Sequence, residues 1–110
     1  MKRSLEELEI ERMDWSRKTF PEATAMSSLE KLKQEIKEVE DEYALDLPEF
    51  FKQGELAEEY SDCLMCIFDS AGRAGITVTQ IRDAFEKKLE KNKARKWQKN
   101  DDNTYSHVKD

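Results

Sequence analysis

The sequence predicts an all-α fold, a four-helix, bundle-like subunit, and three observations predict it. Charged residues make up 40% of the chain and apolar ones 37%, a balance that suits amphipathic helices with one covered face. Three Gly and two Pro are too few for the many turns of a sandwich or barrel. In the middle of the chain, apolar residues recur at alternating steps of three and four, the helical period. At 110 residues the expectation is one domain, 1–110, with a polar tail from about 100 to 110.

The first helix is expected from about Leu5 to Arg17, with Leu5, Leu8, Ile10, Met13 and Trp15 on its less polar side. Thr19 to Met26 contains Pro21 and reads as a connector that carries Trp15 and Phe20 to the edge of the core. The second helix is expected to open at Ser27, which precedes Glu30 by the three residues of a capping box. Its stripe is Leu29, Leu32, Ile36, Val39 and Tyr43, and it ends near Leu45, where Pro48 and Gly54 act as breakers.

A third helix is expected from about Glu55 to Arg73, turning Leu56, Tyr60, Cys63, Leu64, Ile67 and Ala71 inward. Gly72 or Gly75 then supplies a left-handed C-terminal cap. Thr77 and Gln80 have capping-box spacing and start a fourth helix that carries Ile81, Phe85 and Leu89 towards Trp97. The tail after Asn100 is expected to be ordered only where it docks.

Composition narrows function. The longest wholly apolar run, Cys63 to Phe68, is far too short to span a bilayer, so no membrane partner is expected. The opening MKRSLEELEIE has no apolar stretch of the kind a secretory signal needs, so the expected location is cytoplasmic. A net charge of −6 argues against nucleic acid as a partner, which calls for a basic face. The charge is uneven, because Lys87 to Lys99 is strongly basic. Cys63 and Cys66 form a lone C-x-x-C inside an apolar stretch and read as reduced, packed thiols.

Two pairs of acids flank the apolar stripes. With Leu29 at zero and 100° per residue, the second-helix stripe falls at about 280–340°, Glu35 near 240° and Glu38 near 180°. Counted from Leu56, Glu59 lies near 300° and Asp62 near 240°, again at the border of the inward face. If the two helices pack antiparallel, four carboxylates share one groove, and they repel unless a cation sits among them. Oxygen-only ligands without His favour magnesium or manganese over iron. Spacing alone is weak support, since Glu6/Glu9, Glu11/Asp14, Glu38/Asp41 and Glu55/Glu58 share it and most such pairs are solvated helix faces.

The string LEKLKQEIKEVEDE, followed by EEYSDCLMCIFDSAGRAGIT and then KKLEKNKARKW, resembles the MazG-type members of the all-α nucleoside triphosphate pyrophosphohydrolases, and within them the small phage-type dATP/dGTP domains. The likeness runs from Trp15 and TFPEATA to the TYSHVK tail. It implies a Mg²⁺- or Mn²⁺-dependent enzyme that cleaves a (deoxy)nucleoside triphosphate, dATP or dGTP first, between the α- and β-phosphates. Its pattern of Glu-x-x-Glu and Glu-x-x-Asp falls on Glu35, Glu38, Glu59 and Asp62, which the resemblance makes the metal-binding and catalytic set, with Glu38 as proton acceptor. Gln34 stands where many relatives carry a further Glu and takes no role.

The basic segment of the pattern falls on Lys88, Asn92, Lys93, Arg95 and Lys96, implied to hold the β- and γ-phosphates. Apart from the resemblance, such a run is a solvated helix end favoured by the dipole. Trp15, Phe20 and Trp97 can stack on a base, although each is as well suited to the core. His107 reads as a surface residue of the tail. The resemblance also implies a homodimer or homotetramer. The competing expectation is a non-catalytic helical interaction protein without metal dependence.

Overall fold

The computed structural model describes residues 2–109, which form four helices and one short hairpin. Helix α1 is Leu5–Thr19, α2 Ala25–Ala44, α3 Glu49–Arg73 and α4 Val78–Ala94; strands β1 and β2 are Trp97–Lys99 and Tyr105–His107. The chain divides into two compact units, Met1–Val78 and Thr79–Asp110.

Local chemistry sets the helix ends. Ser4 Oγ accepts from the Glu7 amide at 3.1 Å while Glu7 Oε1 accepts from the Ser4 amide at 3.2 Å, a capping box that starts α1. Helix α2 starts one turn earlier than expected. Its cap is Thr24, whose hydroxyl accepts from the Ser27 amide at 3.0 Å, and Ser27 returns the contact to the Thr24 amide at 2.8 Å. Of the two capping boxes available, the earlier adds the turn that brings Ser28 against α3.

Helix α3 also starts earlier, at Glu49 behind Pro48, and runs through Gly54. A lone Gly within a helix costs only about 1 kcal/mol, too little to break one held along its length. Its far end closes as expected on Gly75, at φ +84°, with the Ile76 amide bonded to Ala71 O at 2.9 Å and that of Gly75 to Gly72 O at 3.0 Å.

Within the first unit α2 and α3 lie antiparallel. Tyr43 meets Tyr60 hydroxyl to hydroxyl at 2.7 Å, while Ser28 reaches Asp69 and Ser70 reaches Ala25 O, so later residues of α2 face earlier ones of α3. Helix α1 crosses the C-terminal half of α3, where an added Cβ on Gly72 would stand 2.5 Å from Met13 Sδ.

Burial differs from the expected stripes. Among the described residues the buried apolar side chains are Met13, Val39 and Leu56. Helix α1 buries Glu9, Met13 and Ser16, not its leucines, because this face meets a charged hub on α3. Of the α2 and α3 stripes, Ile36, Tyr43, Tyr60 and Ile67 remain exposed.

The second unit adds what the sequence reading did not contain. Trp97–Lys99 pairs antiparallel with Tyr105–His107, Trp97 opposite His107. The turn uses Asn103 at φ 69°, a conformation Asn tolerates, and the Asn100 amide bonds to Thr104 O at 2.7 Å. The signal was present in two short runs containing aromatics, separated by the turn formers of NDDN.

Candidate metal and nucleotide site

Helices α2 and α3 bring Glu35, Glu38 and Glu59 together, each offering a carboxylate oxygen within 4.8 Å of the others. The helical phase explains it: Glu35 and Glu38 stand one turn apart at the border of the α2 stripe, and Glu59 occupies the matching border of α3. Glu35 is buried, Glu59 half-buried and Glu38 exposed. Asp62, one turn beyond Glu59, is exposed and lies outside this tight set of oxygens.

The electrostatics are unfavourable as they stand. Glu35 Oε2 and Glu59 Oε2 are buried without a hydrogen-bond partner. A buried acceptor with no donor costs free energy that a fold does not spend without return. Burial pushes the Glu59 pKa up, helped by its hydrogen-bonding contact with Glu38 and by the charges of Glu38, Asp62 and Glu35. Burial first, and then the charge of Glu35, raises both cysteine thiols. Cys63 and Cys66 are both free and half-buried.

Next to the acids a cavity of about 440 Å³ is lined by Trp15, Phe20, Lys31, Glu35, Asp62 and Cys66 among others. That size suits a small ligand. Trp15 is 55% exposed and meets Phe20 edge to face at 5.4 Å. The wall behind them is a polar hub absent from the sequence reading. Asp69, on α3, accepts from Ser16 Oγ at 2.6 Å, Ser28 Oγ at 2.7 Å, Arg73 Nε at 2.7 Å and Arg12 at 3.0 Å. Arg12 also pairs with buried Glu9, and Arg73 donates to Ala23 O and Ser16 O. These bonds hold Asp69 ionised far below the usual carboxylate range despite its burial. They also fix the connector carrying Phe20. The available signals were the Asp69/Arg73 spacing of four and the Glu9/Arg12 spacing of three.

The remaining expected residues lie in the second unit. Lys88, Asn92 and Lys93 belong to α4, with Lys88 and Asn92 on one apolar-lined groove with Phe85 and Leu89. Arg95 donates to Asn92 Oδ1 at 3.2 Å, and Lys93 pairs loosely with Glu90 at 3.5 Å. Lys96, at the foot of the hairpin, is exposed, and its carbonyl accepts from the Val108 amide at 2.8 Å. Trp97 donates its indole N–H to Asn92 O at 2.9 Å and meets His107 edge to face at 6.1 Å.

Comparison with known proteins gives this geometry a family. The profile of the dATP/dGTP pyrophosphohydrolase family matches residues 8–110. The chain belongs to that family. Its relatives include a dATP/dGTP diphosphohydrolase of Salmonella phage PMBT28, 33% identical over 96 residues, 87% of this chain. The chain spans about 29% of the length of that curated relative. Among solved structures it resembles a cyanophage S-2L MazG-like pyrophosphohydrolase bound to dGDP and three catalytic Mn²⁺ ions per active site. The TM-score is 0.73 at 25% identity, over 98% of this chain and 100% of that one. This dATP/dGTP pyrophosphohydrolase family member therefore shares the fold of a metal-bound nucleotide enzyme.

Proposed function

We propose that this protein is a divalent-metal-dependent pyrophosphohydrolase that cleaves dATP or dGTP between the α- and β-phosphates, releasing the monophosphate and pyrophosphate. One observation carries the reading. Three carboxylates from two helices meet within 4.8 Å, and two of their oxygens are buried without any partner. Oxygen donors alone, crowded and under-satisfied, fit a hard cation such as Mg²⁺ or Mn²⁺. Family membership and the Mn²⁺ and dGDP named for the cyanophage relative support the same choice.

Glu35, Glu38, Glu59 and Asp62 are proposed to hold the metal, which when bound would offset phosphate charge and activate water for in-line displacement. Glu35 and Glu59, the less accessible pair, act as fixed ligands. Glu38 is the exposed member and is proposed to accept the proton from the attacking water. Trp15 and Phe20, on the cavity next to Glu35 and Asp62, are proposed to stack on the base. Lys88, Asn92, Lys93, Arg95 and Lys96 are proposed as phosphate contacts on their charge and the family pattern, and Trp97, with a part-exposed face, as a further aromatic contact.

The protein is also proposed to work as a homodimer or homotetramer. Ile36, Tyr43, Tyr60 and Ile67 are more exposed than stripe residues of a finished core, as are Phe50 and Phe51. Among the described residues, no helix is long and apolar enough to cross a membrane. A cytoplasmic setting, where nucleotides are found, belongs to the same proposal.

The test is product analysis with each common dNTP and NTP, with and without Mg²⁺ or Mn²⁺. Monophosphate with pyrophosphate, formed only with metal and lost in Glu38→Ala, is expected. Diphosphate with inorganic phosphate, or turnover undiminished in Glu38→Ala, would overturn the reading.

A further inference from the structure

Lys31 sits one turn ahead of Glu35 on α2, and its Nζ lies 3.3 Å from Glu35 Oε1. The two partners are unlike. The Lys31 side chain is 57% exposed, whereas that of Glu35 is 10% exposed and leaves its other oxygen unpaired. Lys31 also lines the cavity that contains Trp15, Phe20 and Asp62. The other cation on that cavity, Arg12, is committed, because it binds both Glu9 and Asp69. Among the described residues lining the cavity, Lys31 is thus the cation that can change partner at little cost. A half-exposed Lys–carboxylate pair is a weak one, far below what an inner-sphere metal contact supplies.

We propose that Lys31 is an exchangeable counter-ion of this site: it pairs with Glu35 while the acids hold no metal, and gives up Glu35 for a substrate phosphate once they do. This rests on the proposed metal and nucleotide reading and adds a residue to it. The two partners compete for one flexible cation. With metal among the acids, Glu35 no longer needs Lys31, and a phosphate entering the cavity offers a full charge within the sweep of the same four-carbon stem. One of the site's negative charges is offset before loading, and the cation already lines the cavity beside the acids.

The test uses the full chain with Lys31→Met and Lys31→Arg. Mn²⁺ affinity is read without nucleotide by electron paramagnetic resonance. Affinity for a non-hydrolysable α,β-methylene analogue of dATP or dGTP is read by calorimetry at saturating Mn²⁺. Lys31→Met is expected to bind Mn²⁺ about two- to fivefold more tightly, since a competing cation is gone. It is expected to bind the analogue roughly tenfold more weakly, and Lys31→Arg to restore most of that loss. These opposite changes separate the proposal from a surface pair, whose loss would move neither. Unchanged Mn²⁺ affinity, or tighter Mn²⁺ with unchanged analogue affinity, would overturn the role of Lys31 and leave the metal site standing. Failure of the unaltered chain to bind Mn²⁺ would overturn both.

Discussion

Ser16 on α1 and Asp69 on α3 are joined by a 2.6 Å hydrogen bond, the hydroxyl donating to the carboxylate, with both residues buried. Ser28 and Arg73 complete the hub, so one carboxylate ties three helices. Asp69→Asn removes the charge that faces Arg12 and Arg73; Arg12 keeps its pair with Glu9, but the largely buried Arg73 guanidinium loses its anion. Such a break costs about 3 kcal/mol or more, enough to consume a large share of a small domain's stability. Urea unfolding should show it as a lower midpoint with an unchanged slope.

Because the folded protein depresses the Asp69 pKa, the unfolded chain binds the proton more readily. The stability this residue contributes is therefore complete above the unfolded value of about 3.9 and is lost as pH falls below it. The gap in urea midpoint between the unaltered protein and Asp69→Asn should be full at pH 7 and shrink on acidification from pH 5 to pH 3. A gap independent of pH would place the effect in packing and not in the charge.

Glu59 has the opposite sign. Its pKa is raised by burial and by neighbouring acids, so the folded state favours its protonated form. Stability from this group is present at low pH and lost as pH rises through the folded value, which leaves a metal-free protein strained at neutral pH. Glu59→Gln should raise the melting temperature of the metal-free protein at pH 7 and abolish the further rise that Mn²⁺ gives the unaltered chain. Its turnover should fall by about a hundredfold or more, since metal contacts supply several kcal/mol of transition-state stabilisation.

Trp15 is half-exposed at the cavity, so Trp15→Ala can be expected to fold. Loss of one stacking face is worth about 1–3 kcal/mol. KM for the nucleotide should rise roughly tenfold while kcat changes little, as for binding shared by ground and transition states. A fall in kcat alone would move Trp15 from base binding to a structural role.

The Gly72 crossing separates two effects of similar size. Gly72→Ala gains helix propensity of up to about 1 kcal/mol but drives its Cβ into Met13, and overpacking costs about 1–3 kcal/mol. A net loss of stability is expected, relieved when Met13→Ala is added.

The helices were legible because α2 repeats its apolar residues at the helical period, and the same phase placed Glu35, Glu38 and Glu59 at facing borders. Helix starts were less legible. Thr24 and Ser27 can both cap, and only contact with α3 decides between them. The hub around Asp69 was hidden because Glu9, Arg12 and Ser16 look like a solvent face until α3 covers them. Lys31 was hidden for a related reason: its meaning lies in the partner it touches.

The central claim is that carboxylates of α2 and α3 share divalent cations, and anomalous diffraction from crystals grown with Mn²⁺ and a non-hydrolysable dGTP analogue tests it most directly. Strong anomalous peaks bonded to oxygens of Glu35, Glu38, Glu59 and Asp62, with the analogue's α-phosphate alongside, are expected. Peaks on other residues, or none at all at saturating Mn²⁺, would contradict it.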